Sequence, residues 1–400
     1  MKLLTVEEAR ARMLAGLAPG APETVALQDA FGRTLSSPVR AVRDQPPYDA
    51  SAMDGWAVRA ADLASGEPLP IGGESAAGAP FAGALPQGSA VRIFTGAQVP
   101  SGADQVVIQE EAERVGERVR LSPEAGSSRH IRPRGGDFAA GAVLLEAGWR
   151  LDAWRMSLAA SAGAGSVQVA PRPRVAFLST GEELVAPGGV ALPHQIYESN
   201  GVALSARGEA WGATVRPLTV TGDDEAAIAA AVQGIDCDLI VTVGGASVGD
   251  HDLVKPALSR LGLEITVASV ALRPGKPTWF GRLSDGRRVL GLPGNPASAL
   301  VCAELFLRPM LLTWQGADPA FPLRSVRLAH PLPATGPREH WMRARLAVSD
   351  DGVLTAETFP DQDSSLVRVL AEATALIRRP AGAPAMEAGA LVQALPLERL

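Results

Sequence analysis

Residues 239–252 read Leu-Ile-Val-Thr-Val-Gly-Gly-Ala-Ser-Val-Gly-Asp-His-Asp. Leu239 to Val243 is an apolar, β-branched run of strand length that stops at two glycines, and a helical pattern resumes near Leu253. A run this short, closed by turn residues, is the signature of a strand buried on both faces. The same pattern recurs on either side: Val175 to Leu178, Val215 to Val220 and Val289 to Leu292 are each followed by turn residues and a helical segment. Strands alternating with helices over 172–317 predict a doubly wound parallel sheet. In such a sheet ligands lie beyond the carboxyl ends of the strands.

The chain has 400 residues, more than one hydrophobic core serves, so several domains are expected. Thr5 and Glu8 form a capping box, and Val6, Ala9, Met13, Leu14 and Leu17 follow at helical spacing, which predicts a helix over 5–17. Residues 42–135 change to short alternating runs, such as Ser89 to Phe94 and Gln105 to Ile108, broken by Gly/Pro turns. A helical register returns over 138–166 with Trp154, Leu158 and Ala159, and Pro171-Arg172-Pro173 marks a boundary. Short strands reappear in 318–400: Ser325 to Leu328, Arg343 to Val348 and Ala375 to Ile377. The expected division is a split helical domain (1–41 with 136–171), an inserted β-rich domain (42–135), the α/β domain (172–317) and a small C-terminal β-barrel-like domain (318–400).

A net charge of −6 offers no basic footprint for nucleic acid, so an anionic ligand must meet local cations or backbone amides. The two cysteines, Cys237 and Cys302, lack a CxxC partner or adjacent His and read as core residues. The N-terminal segment has acidic residues where a signal peptide would be apolar, and no run of about 18 apolar residues occurs, so a cytoplasmic protein without a membrane span is expected.

Three strand-end loops carry groups that suit a phosphate-bearing ligand. Ser179-Thr180-Gly181-Glu182-Glu183 offers two hydroxyls and two carboxylates. Gly244, Gly245, Ser247 and Gly249 let backbone amides approach an anion ahead of a helix N-terminus. Pro293-Gly294-Asn295-Pro296-Ala297-Ser298 opens a helix with Asn at the N-cap and Pro at N1. Neither the dinucleotide Gly spacing nor a Walker loop is present, which weakens ordinary NAD and P-loop readings. Arg273-Pro274-Gly275-Lys276-Pro277 sets two cations three residues apart on a stiff segment, a place to meet a dianion. Carboxylates in this setting, Asp54, Glu183, Asp223, Asp224, Asp250 and Asp252, call for a bridging divalent cation, of which Mg²⁺ is the natural choice. Pro46 to Ala57 has neither helical nor strand period and reads as a structured loop, as does Phe94-Thr95-Gly96-Ala97.

Taken in order, Ser51 to Ala57, Ile93 to Ala97, Ser179 to Leu184, Gly244 to Asp252, Pro274 to Pro277 and Leu292 to Ser298 resemble the molybdopterin molybdenumtransferase family, the bacterial MoeA and animal gephyrin E-domain type, over nearly the whole chain. The resemblance implies insertion of molybdate into adenylylated molybdopterin with Mg²⁺-dependent release of AMP, by a homodimer, and is compatible with contacts to other enzymes of the pathway. It implies that Asp54, Thr95, Glu183, Asp223 and Asp252 are catalytic, that Asp54, Glu183, Asp223 and Asp252 place the metal, and that Lys276, Pro293 and Pro296 are site positions. Arg273 stands where Lys is common, Trp56 where Tyr is usual and Gly136 where an acid is common; Ser364 and Ser365 match the family only loosely. Two alternatives are a molybdopterin adenylyltransferase, which would resemble only the α/β domain, and a gephyrin-like scaffold.

Overall fold

The structure is a computed structural model that describes residues 3–122, 129–219, 224–244 and 253–397. Two compact units form: Met1–Glu23, Gly32–Ser36 and Val169–Leu400 make one, and Thr24–Phe31 with Ser37–Gln168 the other. Helix α1 (Val6–Leu14) opens with the expected capping box, the Thr5 hydroxyl accepting from the Glu8 amide while the Glu8 carboxylate accepts from the Thr5 amide. Its buried stripe, Val6, Ala9 and Met13, enters the core of the larger unit. Arg288 donates to the carbonyls of Met13 and Ala15, so cations satisfy the orphan acceptors at the helix end.

The smaller unit is built on a six-stranded sheet from β1 (Gly55–Val58), β2 (Leu69–Ser75), β3 (Ala90–Ile93), β4 (Gln105–Ile108), β5 (Ala112–Val115) and β6 (Arg118–Leu121), in the order β4-β1-β3-β2-β6-β5. Trp56, Val58, Val107 and Val119 pack on one face and Ala57, Val91, Ile93 and Val106 on the other. Gly55 is required there, because a Cβ would stand 1.9 Å from the Val107 carbonyl oxygen. The helical register read over 138–166 is helical only in α2 (Ala153–Ser161). Ahead of α2, Gly141 and Gly148 adopt positive φ (81° and 84°) and Val143–Leu145 pairs as a strand, which breaks the apparent period. Within α2, Trp154 is 85% exposed and Ala159 is fully buried.

In the larger unit, β7 (Arg174–Ser179), α3 (Asn200–Ala210), β8 (Thr214–Thr219), α4 (Glu225–Gln233), β9 (Leu239–Val243), α5 (Val254–Ser259), β10 (Glu264–Val267), β11 (Trp279–Arg282) and β12 (Arg288–Leu292) form a mixed sheet in the order β8-β7-β9-β12-β11-β10. The four strands read from the sequence are parallel, and β11 and β10 add antiparallel to the edge. Alternate residues feed two cores: Val175, Phe177, Val241 and Leu290 join residues of α1, α3 and the helical segment 296–314, and Ala176, Leu178, Ile240 and Val289 join residues of α4 and α5. The chain order reverses between β7 and β9, so the switch point opens at their carboxyl ends.

A continuous helical run, Pro296–Trp314, consists of α6 (Pro296–Cys302), a π-turn and α7 (Arg308–Trp314). It is long and apolar enough to span a membrane, yet 78% of it is buried inside the protein, and Glu304 within it pairs with Arg207, so it is a core helix. Strands β13 (Arg324–Leu328), β14 (Glu339–Val348), β15 (Leu354–Thr358), β16 (Ala375–Arg379) and β17 (Leu391–Pro396) run β14-β15-β13-β17-β16 and close through β14–β16 into a five-stranded barrel filled by Val326, Ala344, Ala356, Ile377 and Ala394. The expected multidomain α/β plus β architecture with a C-terminal β-barrel is thus the observed one.

Candidate oxyanion cleft

The carboxyl ends of β7, β9 and β12 converge. The Thr180 amide donates to the Val243 carbonyl (3.4 Å) and the Gly244 amide to the Leu292 carbonyl (3.3 Å). Gly244 has φ +91°, and a Cβ there would lie 3.0 Å from the Thr180 carbonyl oxygen. Gly294 sits beside it, and its carbonyl accepts from Asn200 Nδ2 (2.7 Å). The Ser179 hydroxyl donates to Glu198 Oε1 (3.1 Å), which also accepts from the Gly201 amide (2.6 Å) at the start of α3. Glu183 is exposed, its carboxylate folded back over Gly181.

Next to this edge a cleft of about 790 Å³ lies between the α/β sheet and the barrel. One wall carries Arg273, Lys276, Pro293, Asn295 and Ser298; the other carries Arg338, His340, Asp361, Asp363 and Ser364. Two links join the walls. Leu272–Arg273 pairs as a short parallel strand with Glu339 and His340. Asn295 Nδ2 donates to Ser364 Oγ (2.8 Å) and the Ala297 amide donates to the Ser364 carbonyl. Asn295 does occupy the N-cap and Pro296 the first helical position, but the Asn295 side chain makes this cross-link in place of a capping bond.

The cations Arg273, Lys276 and Arg338 and the carboxylates Asp361 and Asp363 line the cleft. Among the described residues Arg273, Lys276 and Arg338 have no carboxylate within ion-pair distance. The carboxylates present are engaged locally: Asp363 accepts from the Ser365 amide and hydroxyl, which hold it below the usual carboxylate range, and Asp361 accepts from the Asp363 amide. Arg343, fully buried behind this loop, donates from Nη2 to the Asp363 carbonyl, while among the described residues its Nε and Nη1 find no partner. His340 is 9% exposed. Its burial, then Arg273, Arg343, Arg338 and Arg379, push it down to about 4, so the imidazole is neutral at pH 7. Sequence reasoning found the sheet-side cations and missed Arg338, His340 and Arg343, whose only signal was a cluster of basic residues on a barrel strand.

The remaining expected residues fall elsewhere. Asp54 and Thr95 come together in the smaller unit, where the Thr95 amide and hydroxyl donate to Asp54 Oδ1 (2.7 and 2.8 Å). Those two bonds, the amide first, hold Asp54 below its ordinary value, aided by Arg92. The Arg92 guanidinium lies over Phe94 and Trp56 and donates to the Gly55 carbonyl and Gln109. Asp223, Gly245, Ser247, Gly249, Asp250 and Asp252 lie outside the described residues. Among the described residues no group of three His, Cys, Asp or Glu side chains is placed to hold a metal.

Taken together, an α/β sheet that shares a cation-bearing cleft beyond the end of β12 with a closed barrel defines a multidomain α/β protein. Comparison with known proteins names its kind. "MoeA N-terminal region (domain I and II)" matches residues 4–163, "Probable molybdopterin binding domain" 176–313 and "MoeA C-terminal region (domain IV)" 325–397. Molybdopterin molybdenumtransferase 2 of Mycobacterium tuberculosis is 37% identical over 385 residues, 93% of this chain and 94% of its own length. Molybdopterin molybdenumtransferase of Bacillus subtilis is 34% identical over 98% of this chain and 94% of its own. The crystal structure of a molybdopterin biosynthesis MoeA protein from Pyrococcus horikoshii superposes with a TM-score of 0.81 at 29% identity, covering 100% of both chains. The chain belongs to the MoeA family, that of the molybdopterin molybdenumtransferases.

Proposed function

We propose that the cleft binds the polyanionic end of adenylylated molybdopterin together with molybdate, and that the protein joins metal to pterin with Mg²⁺-dependent release of AMP. The protein is a molybdopterin molybdenumtransferase, a transferase of molybdenum-cofactor biosynthesis. The observation that carries the substrate assignment is the set of unpaired cations, Arg273, Lys276 and Arg338, facing each other across one cleft. Arg273 and Lys276 are exposed and Arg338 half-buried, so with no carboxylate within ion-pair distance among the described residues their donors can meet an oxyanion directly.

The reaction balances without a covalent enzyme intermediate. Water adds across the phosphoanhydride and releases AMP. Two S–H and one Mo–O bond break as two Mo–S bonds form, and the displaced oxo group leaves as water with both thiol protons. Lys276 and Arg273 hold oxyanion oxygens, Lys276 as a point charge and Arg273 as a two-pronged fork. Gly244 and Gly294 allow the ligand close to the backbone, and Ser179, Thr180, Ser298 and Asn295 set its orientation. This is positioning and electrostatic stabilisation in a preorganised site. Mg²⁺ binds through substrate oxygens and few protein carboxylates, so the missing three-carboxylate cluster does not count against it. Within the smaller unit Asp54, held ionised with Oδ2 unused by Thr95, would suit it, and within the larger unit the exposed Glu183, with Asp223 and Asp252 as the family resemblance implies; the ion would neutralise charge on the anhydride.

The four-domain division given above is proposed as well, supported for its β-rich and C-terminal members by separate cores for residues 56–131 and 326–394, while α1 of its helical member packs in the core of the larger unit. So is a homodimer, supported by large exposed apolar side chains, among them Val42 and Trp154 in one unit and Val190, Ile196 and Val202 in the other. A cytoplasmic location is supported by two free, buried thiols. The deciding experiment incubates purified protein with adenylylated molybdopterin, Mg²⁺ and molybdate. Molybdate-dependent AMP release is expected, and AMP formation indifferent to molybdate would overturn the reading. Sedimentation should give twice the chain mass; a monomer at micromolar concentration would sink the dimer.

A further inference from the structure

We propose that His340 makes oxyanion binding in this cleft proton-linked, the neutral imidazole taking up a proton as a dianion docks beside Arg273 and Lys276. The inference rests on the reading of the cleft as the molybdate-binding site. His340 stands opposite Arg273 on one neighbouring strand and opposite Arg379 on the other, so it lies in a row between two guanidiniums. It lines the cleft at 9% exposure, and among the described residues its ring has no hydrogen-bond partner. With no protein partner among the described residues and no fully buried ring nitrogen, the imidazole presents its nitrogens to the cleft, where a ligand can reach them.

The surroundings decide its charge. Arg273, Arg338, Arg343 and Arg379 act on it, Lys276 shares the cleft, and the facing carboxylates Asp361 and Asp363 are tied into loop hydrogen bonds. Without an anion this positive field and burial keep the proton off. A bound dianion opposes the same field and raises the proton affinity of the ring. By reciprocity, protonated His340 tightens the anion by the factor through which the anion tightens the proton. The sign follows: binding strengthens as pH falls through the bound-state pKa toward about 4, the anion-free value, and is flat above it. Each unit by which the anion raises that pKa gives about a tenfold gain in affinity at the acid end.

The test is calorimetric titration of the full chain with micromolar molybdate at pH 5.5, 6.5 and 7.5, in buffers of different ionisation heat. Wild type should take up a fraction of a proton that grows as pH falls, with Kd tightening by about threefold or more. His340→Gln should bind molybdate with a flat Kd and only the proton change of molybdate itself. Because a variant can misfold, the imidazole resonances of wild type are also titrated with and without molybdate; one histidine should titrate higher in its presence. Equal proton uptake by wild type and His340→Gln, or no shifted histidine, overturns this inference while leaving the site in place. No molybdate binding by wild type at all overturns the cleft reading and this inference with it.

Discussion

Gly275→Ala tests how the cation-bearing segment is held. Gly275 has φ +116°, and a Cβ there would lie 2.2 Å from Cys302 Sγ and 3.0 Å from Leu272 Cδ2. Neither neighbour can retreat, because Leu272 and Cys302 are both fully buried and Cys302 Sγ sits 3.1 Å from Thr278 Oγ1, whose hydroxyl donates to the Gly275 carbonyl (2.8 Å). Backbone strain of about 1–3 kcal/mol and overpacking of about 1–3 kcal/mol sum to about 2–6 kcal/mol of destabilisation. Cys302→Ala alone should cost about 1 kcal/mol, the scale of one buried group. Combined with Gly275→Ala it opens the space the new methyl needs, so the pair should be less destabilised than the sum by about 1–3 kcal/mol. The backbone strain at φ +116° remains, so the double variant should still fall short of wild type. The assay is the midpoint of guanidinium unfolding followed by tryptophan fluorescence, Trp279 being buried just beyond the segment, with the slope checked for constancy. Gly275→Ala should also raise the half-saturating molybdate concentration, since the segment aims Arg273 and Lys276. A Gly275→Ala protein as stable as wild type, or strictly additive single effects, would refute the account of this contact.

Three further outcomes are expected. Lys276→Ala should raise the molybdate concentration for half-maximal AMP release by about 5- to 150-fold, the equivalent of 1–3 kcal/mol for a charge-assisted bond. The pterin dependence should move less; an unchanged molybdate dependence would remove Lys276 from that role. Asp54→Asn keeps an oxygen for Thr95 and should leave the fold intact, as circular dichroism would report, while molybdate-dependent AMP release is lost along with the carboxylate; full turnover would remove Asp54 from the metal site. Stability should fall with acid because of His340: its folded pKa of about 4 lies below the unfolded value of about 6.5, so the unfolded chain binds more protons between them. The contribution is fully present above about pH 6.5 and declines toward pH 4, by at most about 3 kcal/mol. His340→Gln should flatten that window in unfolding midpoints; an identical pH profile would contradict it.

The sequence by itself determined the α/β framework and the sheet-side half of the cleft. Leu239 to Val243 and its parallel neighbours are legible because strands buried on both faces must be continuously apolar, and glycines and Pro-flanked caps mark where such strands end. Arg273 and Lys276 stood out because a Pro-stiffened segment confines them. The barrel-side half was not legible, since basic residues on a strand ordinarily face water and Arg338, His340 and Arg343 have nothing local to say otherwise. Only barrel closure, β14 pairing with β16 and with Leu272–Arg273, buries Arg343 and sets His340 between Arg273 and Arg379, partners 67 and 39 positions away in the chain. The same holds for Asn295: local chemistry put it at the N-cap, but tertiary structure supplied Ser364, 69 residues on, as the better partner for its side chain. Trp154 shows the converse, as a helical period names a face without saying that anything covers it. Local rules fix which backbone state a segment prefers; which charges end up facing one another is set by long-range pairing.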